Sequence, residues 1–91
     1  MTTADVTLEL LYDLGDRPAW AAELERRAGH QALPADVRVS AASELAGRGE
    51  GEERRRGLDF LAALADDAGL EPYWRSVAWN ALDHRVAADG D

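Results

Sequence analysis

Apolar residues along this chain recur at intervals of three and four, the spacing of an amphipathic helix. The pattern breaks at Gly15-Asp16-Arg17-Pro18, Gly29 to Pro34, Gly47 to Gly51, and Gly69-Leu70-Glu71-Pro72. Glycine suits the end of one helix, and the proline closing three of these breaks suits the first turn of the next. Five helical segments are predicted. The first runs from Ala4 to Leu14, with Leu8 and Leu11 inward, Val6 and Leu10 beside them and Leu14 closing the side. The second runs from Pro18 to Ala28 and turns Trp20, Ala21, Leu24 and Ala28 to the core. The third, Ala35 to Ala46, buries Val37, Ala41, Ala42 and Leu45. The fourth, Glu52 to Ala68, buries Leu58, Leu61, Leu64, Ala65 and Ala68, with Phe60 alongside. The fifth, Pro72 to Val86, carries Trp74, Val77, Ala78, Ala81 and Leu82. Residues 1–86 form one domain, and Ala87 to Asp91 is an acidic tail expected to fray. Short breaks between helices of three to four turns make sequence neighbours antiparallel.

The segments resemble one another. Leu33/Leu70, Val37/Trp74, Arg38/Arg75, Ala41/Ala78 and Leu45/Leu82 pair at an offset of 37 positions. Trp20/Phe60, Leu24/Leu64, Ala28/Ala68 and Gly29/Gly69 pair at an offset of 40. Leu11 to Asp16 parallels Leu45 to Glu50. Such spacings belong to two-helix repeats. Asp36-Val37-Arg38 followed by Ala41-Ala42 and Leu45 resembles the first helix of the HEAT family, as does Trp74-Arg75 with Ala78 and Leu82. Leu14-Gly15-Asp16 matches the turn that follows that helix. The resemblance extends over most of the chain, about two and a half repeats. It implies an all-α fold of five helices stacked as HEAT-like hairpins in a right-handed superhelix, and a role in binding other proteins. The array is short for that family, Gly49-Glu50-Gly51 lengthens one turn, and Trp79 stands where the pattern has Ala42. A tetratricopeptide reading fits less well, because its tryptophan, tyrosine and proline positions do not recur.

With 91 residues, the chain has room for one small core, which the sequence would centre on Trp20, Phe60, Trp74 and Trp79. It has no cysteine, hence no disulfide and no thiolate ligand or nucleophile. Residues Met1 to Asp5 lack the order of a signal peptide, and no apolar run is long enough to span a bilayer. A cytoplasmic protein is the expectation. The formal net charge of −8 argues against nucleic-acid and anionic-membrane partners. All ten basic residues are arginine, which, beside abundant alanine and glycine, fits a GC-rich bacterial genome.

No constellation for catalysis, a cofactor or a metal emerges. His30 and His84 have no second histidine at ligand spacing. The carboxylate pairs Glu52-Glu53 and Asp66-Asp67 point apart on a helix. Gly47-Arg48-Gly49-Glu50-Gly51 resembles a phosphate loop only in its glycines. Candidate partner-binding residues are the cluster Arg54, Arg55 and Arg56, and the aromatics Tyr73 and Trp79 of the last helix. The arginines read either as a solvated face with local ion pairs or as a patch for an acidic partner. Trp79 reads either as a cap over the end of the array or as an exposed hot spot for a partner or a second copy. The expected function is a non-enzymatic protein-interaction module, with self-association through the last helix in view. The alternative is a small acidic inhibitor of a larger protein: an immunity protein, antitoxin or nucleic-acid mimic.

Overall fold

The computed structural model describes residues 3–89, with side chains from Leu8 to Val86. The fold is all-α, five helices packed on one another: α1 (Thr3–Leu14), α2 (Arg17–Gly29), α3 (Ala35–Arg48), α4 (Glu52–Ala65) and α5 (Pro72–Asp89). They form a slab of 34 × 34 × 17 Å. Its thickness is that of two helix layers, with α3 and α5 in contact in one and α2 and α4 in the other.

Local chemistry sets the turns. Gly15, at φ +70°, ends α1. Its N–H donates to the Tyr12 carbonyl and that of Asp16 to the Leu11 carbonyl, both at 3.1 Å, the paired bonds that close a helix on a left-handed residue. Asp16 then caps α2, accepting from the Ala19 N–H at 3.3 Å, and Pro18 occupies the first turn. At the α3–α4 crossing Gly57 lies against the backbone of Ala46 and Leu45, an approach that any side chain would obstruct.

The hairpins α2–α3 and α4–α5 make the same contacts 37 positions apart. Arg38 Nε donates to the Ala28 carbonyl at 3.3 Å, and Arg75 Nε to the Ala65 carbonyl at 3.5 Å. The N–H of Leu33 meets the His30 carbonyl, and that of Leu70 the Asp67 carbonyl, each at 3.0 Å. Ala32 N–H donates to His30 Nδ1, and Gly69 N–H to Asp67 Oδ1. The correspondence between α2 and α4 is therefore also 37 positions, where matching glycines suggests 40. Gly29 ends α2, whereas α4 already stops at Ala65 and Gly69 lies in the following turn. Ala68, expected inward on a longer α4, is exposed in that turn.

Leucine and alanine make the core. Leu24, Leu45, Leu61 and Leu64 are its largest fully buried side chains, closed in by Trp20, Ala21, Ala28, Val39, Ala41, Ala42, Ala46 and Ala78. Of the four aromatics expected at its centre, Trp20 is buried, Phe60 and Trp74 are half-buried and Trp79 is exposed. Val39 takes the buried place expected of Val37, which is half-buried. Leu8 and Leu11 pack against the core, but Leu10 and Leu14 face solvent, because α2 is the one helix whose backbone comes close to α1 among the described residues. Val6 lies outside the described side chains. The backbone of α5 runs helically to Asp89, and the rest of the tail lies outside the described residues. No helix among the described residues is long and apolar enough to cross a membrane.

Candidate docking surfaces

Among the described residues, no group of three or more His, Asp or Glu side chains is placed to hold a metal ion. His30 and His84 are both exposed, one in the α2–α3 turn, where it accepts from the Ala32 N–H, and the other on α5.

The three consecutive arginines separate, as successive positions on a helix must. Arg54 turns inward: Nη1 donates to the Ala46 carbonyl at 2.9 Å and Nη2 to the Arg85 carbonyl at 3.1 Å, tying α4 to α3 and α5. Arg56 crosses to α2 and pairs with Glu25 at 3.1 Å. Arg55 is exposed, 3.9 Å from Glu52 one turn back. Arg26 of α2 pairs with Glu23 at 2.6 Å, and Arg27 is buried with Glu23 at 3.1 Å. Hydrogen bonds from Arg26, and secondly from Arg27, hold the Glu23 carboxyl below the usual carboxylate range against the opposing effect of burial. Ion pairs to Glu53 and Glu50 raise Arg17, and one to Glu44 raises Arg48. The basic side chains of this face thus serve contacts within the chain.

Trp79 and Tyr73 are exposed at 60% and 65% of their surface. They occupy different sides of α5. Tyr73 stacks edge-on against Trp74, with centroids 4.8 Å apart. Trp79 forms one wall of a shallow groove with Pro72, Arg75 and Ser76 of α5 and Ala65 of α4. The offset of 37 gives this face a counterpart inside the molecule. Ser76, Trp79, Asp83 and Val86 stand where α3 has Val39, Ala42, Ala46 and Gly49. Val39, Ala42, Ala46 and the C-cap Gly49 are all buried, and α4 lies against Ala46 and Gly49. The α5 residues are all exposed, because no helix follows within the described residues. Small residues that admit a close helix are replaced here by an indole, a carboxylate and a valine.

A search against protein-family models, curated proteins and solved structures finds no match.

Proposed function

We propose that this chain is a non-catalytic protein-interaction module of HEAT-like type, two hairpins preceded by a single helix, that docks partners on the open face of α5. Trp79 carries the reading. A tryptophan 60% exposed, at a position whose counterpart Ala42 is fully buried, is an apolar anchor left open among the described residues. The contacts that recur at 37 positions support the HEAT-like part, and a second copy is the first partner to test. Sedimentation equilibrium of the wild type beside Trp79→Ala is the experiment. The expected result is a concentration-dependent dimer that the substitution weakens roughly tenfold or more, with helicity unchanged. A monomer in both would reject self-association through Trp79. Loss of helicity in the variant would assign Trp79 to stability instead.

A second reading, an acidic inhibitor of a larger protein, draws support from the arginine cluster. Its positive charges interrupt the acidic surface of a chain of net charge −8 less than three arginines would, because Arg54 and Arg56 serve contacts within the chain. Under that reading the protein is monomeric alone and forms a complex with a basic partner.

A further inference from the structure

The layer containing α1, α3 and α5 is closed on one side and open on the other. Helices α3 and α5 pack together, and the guanidinium of Arg85 lies over Gly47. Helices α1 and α3 do not meet: among the described residues no Cα of one comes within 8 Å of a Cα of the other. A groove is left between them. At one end Tyr12 bridges it, its hydroxyl donating to Glu44 Oε2 at 3.4 Å while the Arg48 guanidinium lies 3.8 Å from its ring centroid. Towards the other end the groove deepens into a cavity of about 190 Å³ with Leu8, Leu24, Val37 and Ala41 among its walls.

The rim is acidic. Glu9 and Asp13 line the groove from α1, Asp36 and Glu44 from α3. The two arginines there are paired, Arg48 with Glu44 at 2.6 Å and Arg27 with Glu23 at 3.1 Å, a carboxylate it shares with Arg26. Glu9, Asp13 and Asp36 have no ion-pair partner among the described residues. Acidic walls over an apolar pocket exclude a phosphate backbone or an anionic lipid surface and disfavour a second copy of a chain carrying −8. They suit a cation on a carbon scaffold. Along α3 the lining extends from Asp36 to Arg48, roughly 18 Å at the helical rise, which is a peptide's length and exceeds a single side chain's.

We propose that the α1–α3 groove is a docking site for a basic peptide segment of a partner protein. An apolar side chain of that segment enters the cavity beside Leu8 and Val37, and its lysines or arginines meet Glu9, Asp13 and Asp36. This surface is separate from the Trp79 face and stands or falls independently of it.

The test uses an acetylated, amidated dodecapeptide of alternating lysine and leucine, with a glutamate-for-lysine analogue, titrated into the full chain at low salt and followed by amide NMR. Saturable shifts centred on residues 8–13 and 36–44 are expected. The double variant Glu9→Gln/Asp13→Asn should bind roughly three- to tenfold more weakly. Asp59→Asn/Asp66→Asn removes the same charge from α4 and its C-cap and should change affinity less than about twofold. Ser40→Arg, on the groove-facing side of α3, should also weaken binding. Circular dichroism checks that each variant keeps its helices. Equal loss in both double variants would reduce the effect to net charge and overturn the proposal. So would shifts centred on α5, binding of the glutamate analogue, or no binding at millimolar peptide.

Discussion

Gly57 and Gly47 lie on the two helices that form the main crossing, and they should respond oppositely to the same methyl group. A Cβ on Gly57 meets backbone on the facing helix, including the Leu45 carbonyl carbon at 2.9 Å. Backbone on both sides cannot yield without separating α3 from α4. Alanine gains about 1 kcal/mol of helix propensity over glycine, but overpacking a tight core contact costs about 1–3 kcal/mol. The clash is with main chain, so its cost falls at the upper end and outweighs the gain. The atoms nearest a Cβ on Gly47 belong to the guanidinium of Arg85, with Nη2 at 2.7 Å, the far end of a flexible side chain. There the propensity gain survives. In urea unfolding, Gly57→Ala should lower the midpoint and Gly47→Ala should leave it unchanged or raise it. Shifts of the same sign would mean that the crossing is looser than this spacing. The same scale explains the arginine cluster. Arg54, Arg55 and Arg56 are neighbours in sequence, but each helical step turns the side chain to a new side, and only Arg55 remains a plain surface charge.

Among the elements, α1 is attached by the least contact, and Tyr12 is its polar seam. The ring packs edge-on against Trp20 at 5.7 Å, and the hydroxyl reaches Glu44. Burial first, and then the negative charge of Glu44, raise the Tyr12 phenol above its ordinary value. A group whose folded pKa is raised contributes stability below its unfolded value and loses it as pH rises through the folded one. Docking of α1 should therefore weaken in alkali, above about pH 10, where a phenolate would face the Glu44 carboxylate. Trp20 fluorescence and near-ultraviolet circular dichroism would follow the step. Tyr12→Phe should abolish it at a cost under about 1 kcal/mol at neutral pH, since a 3.4 Å hydrogen bond is a weak one. An unchanged alkaline step in that variant would remove Tyr12 from the account. The elements themselves were legible, because glycine and proline punctuation and the three-to-four spacing are local signals. The inward faces of α2 and α3 followed from spacing, apart from the buried Arg27, Val39 and Ala46. The exposure of Leu10 and Leu14 did not, because it depends on how the helices stack, and no described residue covers that side of α1. Trp79 could be singled out from the 37-position comparison alone. The α1–α3 groove could not, since Glu9, Asp13, Asp36 and Glu44 meet only once the gap between the two helices is known.

On the scale of the whole molecule, the net charge of −8 opposes folding, while ion pairs between elements favour it. Arg17 joins α2 to α4 through Glu53 at 2.6 Å and reaches Glu50 at 3.4 Å, and Arg56 joins α4 to α2 through Glu25 at 3.1 Å. Salt screens both effects, but over different lengths. The screening length is about 30 Å at 0.01 M and about 10 Å at 0.1 M. At the lower concentration it is comparable with the 34 Å extent of the slab, so acids on distant helices repel one another. At the higher one most of that repulsion is gone. The pairs, at 2.6–3.4 Å, are far shorter than either length and change little over this range. Each is exposed enough that its own contribution is small in any case. Raising sodium chloride from 0.01 to 0.1 M should therefore stabilise the fold. Relief of about 1 kcal/mol corresponds to a rise in Tm of about 4–8 °C for a domain of this size. Chloride is preferred to sulfate for the measurement, because sulfate strengthens apolar burial by its own route. A fall in Tm over the same range would give the balance to the cross-element pairs. Arg17→Ala would then remove much of the salt response, whereas under the repulsion account it lowers Tm at low salt and leaves the rise with salt intact.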